Sequence, residues 1–233
     1  MISIIIPVYN QAQKLVATLA SIARQTYTDY EVIIVNDGSK DGVDMVFANY
    51  YKKLTTDTNY LFINQSNQGA PAARNRGLKE AKGEYVFFCD ADATLKPEAL
   101  ETMLKALDAN PTASYAYSSF YWGKKFFKVG DFDPDKLRTA PFIHTMALIR
   151  RADLPSAGWD ESIKKFQDWD LWLTMLEAGK VGCWIPQALF TITPGGMISA
   201  WLPSFAYKFL PFLPRVQKYM KALAVIKTKH GLA

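Results

Sequence analysis

Asp90-Ala91-Asp92 ends the apolar run Tyr85-Val86-Phe87-Phe88-Cys89. In extended chain, residues two apart point the same way, so both carboxylates can face one site. Two hard oxygen donors on a small loop suit Mg²⁺ or Mn²⁺, which keep waters and share a substrate diphosphate. Two aspartates in a solvated turn are the plain alternative. Asp37 closes a second apolar run, Val32-Ile33-Ile34-Val35-Asn36. A carboxylate there can accept hydrogen bonds from a base imide or a ribose hydroxyl, or cap the turn Gly38-Ser39. Gly69 permits close backbone approach at a helix start, where anions are favoured, and Arg74 can reach a phosphate. Asp168 and Asp170 open a Trp-rich helix. Asp168 lies at the edge of its apolar arc near Trp172, where desolvation raises a carboxyl pKa and suits a general base. The helix dipole pulls the other way, and periodicity does not choose between Asp168 and Asp170.

The elements that must position these groups alternate between two hydrophobic periods. Ile2–Val8, Glu31–Asn36, Tyr60–Asn64 and Glu84–Cys89 read as buried strands. Helices are expected over 11–25, 41–53, 71–82 and 98–107. Strands alternating with helices imply an α/β fold with a mostly parallel, Rossmann-like sheet flanked by helices. Ligands then bind beyond the carboxyl ends of the strands, at Pro7–Asn10, Asp37–Ser39 and Asp90–Asp92. In the second half, 114–122 and 125–129 suit a hairpin, and 142–149, 181–185 and 189–193 suit strands. Trp169, Trp172, Leu173 and Leu176 form a helical stripe over 168–178.

Charge is unevenly placed. The 233 residues carry 27 Lys and Arg against 22 Asp and Glu, a formal +5. Six of the basic residues follow residue 200 with no acidic residue among them, which leaves residues 1–200 near neutral. That argues against a nucleic-acid-binding core and points to a basic appendage for an anionic membrane surface or an acidic partner. Cys89 and Cys183 sit among apolar neighbours and suit reduced thiols in a cytoplasmic setting. No secretory signal is visible at Met1. His144, in an apolar stretch, reads as a core histidine, and no Walker A, G-x-G-x-x-G, G-x-S-x-G or C-x-x-C pattern occurs.

Five stretches together resemble the family 2 glycosyltransferases with a GT-A fold. They are Ser3–Asn10, Glu31–Ser39, Asn67–Gly77, Gly83–Asp92 and Gln167–Trp172, in the expected order across roughly residues 1–200. The resemblance implies that Pro7, Tyr9 and Asn10 line a nucleotide pocket and that Asp37 contacts the base, typically uracil. Gly69, Arg74, Asp90 and Ala91 would lie along the nucleotide. Asp92, with Asp90, would hold a divalent cation, Mn²⁺ or Mg²⁺. Asp168 would be the catalytic base, with Gln167 where relatives carry glutamate. The implied reaction is an inverting displacement that moves one sugar from a nucleotide-sugar donor to a glycan or lipid-linked acceptor. A relative that binds nucleotide or glycan without catalysis is the alternative. A sugar-nucleotide-forming enzyme would need a Gly-rich basic loop where Pro7-Val8-Tyr9-Asn10-Gln11 stands.

Two departures bear on these expectations. Many relatives carry a basic or histidine-containing loop after the last strands, whereas 190–199 holds no His, Arg or Lys. No Q-x-x-R-W stretch follows Asp168, so processive synthesis is not expected. The chain is expected to divide into a catalytic domain over 1–200 and a basic amphipathic extension over 201–233. Residues 1–95 would form the nucleotide half of the domain and 96–200 the acceptor half. In the extension, Phe212, Val216, Tyr219, Met220, Leu223 and Ile226 share an arc, with Trp201, Phe205, Tyr207 and Phe209 upstream. That suits a peripheral contact with the inner face of a membrane, or a helix packed on the protein body or in a homodimer.

Overall fold

The computed structural model describes residues 1–52, 59–195 and 212–232. Four parallel strands, β1 (Ile2–Val8), β2 (Tyr30–Asp37), β3 (Asn59–Gln65) and β4 (Tyr85–Phe88), lie in the order β3-β2-β1-β4. The sheet continues through β8 (Leu148–Arg150), β6 (Tyr115–Trp122), β9 (Gly182–Ile192) and β5 (Ala93–Leu95), and β7 (Lys125–Phe127) pairs with β6 as a hairpin. β8 runs antiparallel to both β4 and β6, while β6 and β9 are parallel. The fold is the expected α/β arrangement of a mostly parallel sheet flanked by helices. β1, β2, β4, β6 and β9 all end on one edge of the sheet.

β1 shows why this sheet is buried on both faces. Ile2, Ile4, Ile5 and Ile6 are all fully buried, so no side of the strand faces water. Helices α1 (Ala12–Ile22), α2 (Val43–Tyr51), α3 (Ala70–Glu80) and α4 (Ala99–Ala109) supply the covering layers. α3 lies so close to the sheet that a Cβ on Gly77 would stand 2.5 Å from Ile5 Cγ2. Only glycine allows that approach.

The second half departs from the sequence reading in three places. The strand expected over 142–149 is confined to Leu148–Arg150. Leu148 and Ile149 pair with both β4 and β6, whereas residues 142–147 join neither ladder. The strands expected over 181–185 and 189–193 are one strand, β9. Opposite Ser118–Phe120 its register slips, and the ladder passes over Pro186, which has no N–H to donate. Helix α6 (Gln167–Glu177), which follows the short α5 (Pro134–Thr139), buries a wider face than the expected stripe. Trp169, Asp170, Leu171, Trp172, Leu173 and Met175 are all covered. Both indoles are tied down: Trp169 Nε1 donates to the Leu137 carbonyl and Trp172 Nε1 to that of Ile143. Trp172 also stacks on Tyr115 at 4.5 Å.

Helix α7 (Pro214–Lys229) lies on this body. Val216 and Ile226 are buried, Leu223 packs on the core, and Tyr219 meets the Phe166 ring edge-on. Most of the apolar arc read from the sequence therefore faces protein. Phe212, Met220 and Val225 are exposed, as are Arg215, Lys218 and Lys221. The aromatic anchors Trp201, Phe205, Tyr207 and Phe209 lie outside the described residues. No described helix is long and apolar enough to cross a membrane.

Candidate functional site

The loops at the shared carboxyl edge are knitted together by side chains. Asn10, at the end of β1, donates its backbone N–H to Ser39 Oγ and accepts the Lys40 N–H on its own Oδ1. Its φ of 51° is an uncommon left-handed value for a residue other than glycine. Pro7 is half-buried beside it and Tyr9 is exposed. Asp37 is 3% exposed. Its carboxylate accepts from Gln65 Nε2 and the backbone N–H groups of Gln68 and Gly69, at 2.8 to 2.9 Å. It is thus the anchor of the loop that leads into α3, rather than a simple cap of Gly38-Ser39. Gly69 has φ +97°, and the space a Cβ would occupy there is open apart from Pro71 at 3.9 Å.

Arg74 crosses the floor of the site. Its guanidinium reaches Gln167 Oε1 at 3.2 Å and Asp90 Oδ1 at 3.3 Å, and lies 4.5 Å over the Trp159 ring. Its Nε is buried with no hydrogen-bond partner, an open donor in an otherwise paired group. Asp90 is also approached by His144, whose Nε2 lies 3.8 Å from Oδ2. His144 Nδ1 accepts the Met146 N–H, which leaves the ring proton on Nε2 in the neutral tautomer, facing Asp90. Phe120 and Phe190 flank the imidazole at 5.0 and 5.3 Å. His144, read from the sequence as a core residue, is therefore part of the site. Its apolar neighbours match a strand pattern, and that hides its position.

Asp92 is buried and holds a different set of partners. Gln11 Nε2 donates to its Oδ2 at 3.2 Å, and Lys14 Nζ lies 3.6 Å from the same oxygen. Burial and the neighbouring Asp90 raise the Asp92 pKa, against the pull of Lys14. Ala91, between the two aspartates, has a buried side chain and accepts from Thr18 Oγ1 on its carbonyl, which fixes the loop to α1. Neither Gln11 nor Lys14 stands out in the sequence, because their link to Asp92 spans about eighty residues.

The structure separates Asp168 from Asp170. Asp168 shares its surroundings with His144, Arg74 and Asp90, and accepts the Trp169 N–H at 2.9 Å. Burial pushes its carboxyl above the ordinary value, opposed by His144, that N–H and Arg74. The preceding Phe166 has φ 61°, a strained value for an aromatic residue, and it turns the chain into α6. Asp170 points elsewhere, as two positions along a helix turn a side chain by about 200°. It is held by His230 at 2.9 Å and Lys229 at 2.7 Å. A cavity of about 460 Å³ lies beside that pairing, between the 155–161 loop, α6 and α7, away from the strand ends. Its charged groups are largely paired with one another.

The donor set suits a hard divalent cation held in an open site. Asp90 and Asp92 supply carboxylate oxygens, and no cluster of three or more His, Cys, Asp or Glu occurs among the described residues to close a cage. Such a cation would share its coordination with substrate. Cys89 is unsuited to chemistry: it is fully buried, and burial pushes its thiol pKa well up.

Comparison with known proteins gives the family and the fold. A profile described as Glycosyl transferase family 2 matches residues 3–154. An uncharacterized glycosyltransferase of Haemophilus influenzae is 29% identical over 189 residues, covering 76% of this chain and 62% of its own length. One from Rickettsia typhi is 31% identical over 197 residues, covering 78% and 60%. This chain thus spans about three fifths of these relatives. Among solved structures, Staphylococcus aureus TarS 1-349 in complex with UDP-GlcNAc matches with a TM-score of 0.71 at 21% identity, over 91% of this chain and 64% of that one. The mannosyltransferase PcManGT from Pyrobaculum calidifontis, in complex with GDP-Man and Mn²⁺, matches at 0.69 and 22%, over 86% and 58%. At these identities the structural likeness speaks for the fold.

Proposed function

The chain belongs to glycosyl transferase family 2 and has the GT-A fold, and from that premise we propose that it is an inverting glycosyltransferase. It moves one sugar from a nucleoside diphosphate sugar, preferably UDP-linked, to a hydroxyl of a glycan or lipid-linked saccharide. The observation that carries this reading is the division of labour on α6. Asp168 lies within the electrostatic reach of Arg74, His144 and Asp90, while Asp170 is bound to the C-terminal helix.

Asp168 takes the proton from the acceptor hydroxyl as that oxygen attacks the anomeric carbon. The bond from that carbon to the diphosphate breaks, and the nucleoside diphosphate leaves with the electron pair. A raised pKa makes the carboxylate a stronger base than an exposed aspartate. Arg74 holds Asp90 in place. Pro7, Tyr9 and Asn10 line the nucleotide, with the Asp37-anchored turn at Gly69 closing its other side. Asp92, with Asp90, would hold Mn²⁺ or Mg²⁺, which offsets negative charge developing on the leaving diphosphate. The nucleotide sugars and Mn²⁺ named in the solved neighbours support the donor class and the metal. Residues 1–95 would serve the nucleotide and 96–200 the acceptor.

The outward basic side of α7, with Arg215, Lys218 and Lys221, gives the protein a means to rest on an anionic membrane at the cytoplasmic face, where a lipid-linked acceptor would be met. A homodimer through residues 201–233 is the other use of that surface. The catalytic reading is tested with a panel of nucleotide sugars and Mn²⁺, scored by release of nucleoside diphosphate. Release from at least one donor, lost in Asp92→Asn, supports it. No binding or release with any donor leaves only the non-catalytic alternative.

A further inference from the structure

Lys14 sits where local helix physics disfavours it. It is in the first turn of α1, whose positive dipole end repels a cation, and no acidic residue in that turn offsets it. Its side chain is only 27% exposed, so the ammonium is drawn inward rather than left in water. There it lies 3.6 Å from Asp92 Oδ2 and 3.5 Å from the Pro194 carbonyl, bridging the ends of β4 and β9. A charge placed against local preference, and aimed at a carboxylate proposed to hold a metal, calls for a functional reason.

The surrounding charges sharpen the question. The described part of the loop after β9 runs Thr193-Pro194-Gly195 and supplies no cation of its own. Arg74, the buried cation near Asp90, is engaged with Asp90 and Gln167. Lys14 is thus the cation paired with Asp92 among the described residues. A lysine is a mobile point charge on a flexible stem and can exchange one anionic partner for another nearby.

We propose that Lys14 is a built-in cation of the donor subsite: it neutralises Asp92 when the site is empty and transfers to the donor diphosphate when that binds, releasing Asp92 to the divalent cation. This rests on the glycosyltransferase reading and adds a residue to it. Lys14 and the cation compete for one carboxylate in the empty site and act on the same diphosphate in the filled one. The consequence is an opposite response of two binding events to a single substitution.

Mn²⁺ binding by the full chain without nucleotide, followed by electron paramagnetic resonance of the free ion, reads the first event. Lys14→Met should tighten it several-fold, because the competitor is gone. Affinity for UDP, GDP and inorganic pyrophosphate in EDTA, followed by calorimetry, reads the second. Lys14→Met should weaken it about tenfold with a shallower salt dependence, and Lys14→Arg should largely restore it. Unchanged metal and diphosphate affinities in Lys14→Met overturn the proposal while leaving the glycosyltransferase reading intact. So does a change of both in the same direction. Failure of the wild-type protein to bind any nucleoside diphosphate, with or without Mn²⁺, overturns both.

Discussion

At the scale of single residues, the site is a set of carboxylates kept distinct by their partners. Asp37 fixes a loop, Asp90 is gripped by Arg74, Asp92 meets Lys14, and Asp170 belongs to the C-terminal helix. Asp168 is the one proposed to act on a substrate proton. Because burial raises its pKa, turnover should fall on the acid side as pH drops through a value above the ordinary carboxylate range. His144 pulls that pKa down, so His144→Phe should move the acid limb of the pH–rate profile to higher pH. A profile unmoved by that substitution would remove His144 from the electrostatics of the base. The sequence exposes the aspartates because each follows an apolar run or opens a helix. It conceals His144, Gln11 and Lys14, whose partners are far away in the chain and whose neighbours fit ordinary patterns.

At the scale of elements, what places these residues is close packing of a few segments. α3 carries Arg74 and lies on β1 and β2 through Gly77. Gly77→Ala should push α3 off Ile5 and destabilise the fold by about 1–3 kcal/mol, measured by denaturant unfolding. Wild-type stability in that variant would show that the contact relaxes freely. The Asp37 carboxylate ties the turn before α3 with three hydrogen bonds. Asp37→Ala should therefore weaken nucleotide binding about tenfold or more, with accelerated amide exchange at Gln68 and Gly69. The β/α alternation was readable up to β4, since buried parallel strands are continuous apolar runs and the helices have their own period. From residue 142 onward the helix over 168–178 is legible, but strand lengths are not, because strand pairing rather than local pattern sets them. β8 is confined to the three residues that meet β4 and β6, and β9 continues across Pro186 through a register slip against β6.

At the scale of the whole molecule, the charge excess of the last residues has two faces. The inner one fastens α7 to the body: Lys229 bridges Asp160 and Asp170, and the buried His230 meets Asp170 and Glu177. Hydrogen bonds from Lys229 and Ser162 hold the Asp160 carboxyl down at about 2, against an ordinary 3.8. A depressed carboxyl stabilises the fold above its unfolded value, so this contribution should vanish as pH falls from about 4 to about 2. Lys229→Met should flatten that acid slope. It should also destabilise the protein by about 1–3 kcal/mol, because Asp170 loses its ammonium partner and keeps only the His230 ring. The outer face, with Arg215, Lys218 and Lys221, carries no ion pair among the described residues. Reversing those three charges should abolish sedimentation with anionic vesicles and leave thermal stability nearly unchanged; equal sedimentation would exclude the membrane role. The amphipathic period announced this helix, but only the fold decides that its apolar side meets protein, since both destinations want the same pattern.

The central claim is that Asp168 is the base of a sugar transfer for which Asp170 is only structural. The most direct measurement is single-turnover release of nucleoside diphosphate from the responding donor by the wild type, Asp168→Asn and Asp170→Asn, with donor affinity measured in parallel. Asp168→Asn should lose turnover by about 10²-fold or more while binding donor as the wild type does. Asp170→Asn should lose stability first and turnover only in proportion to the unfolded fraction. Wild-type turnover in Asp168→Asn would contradict the claim.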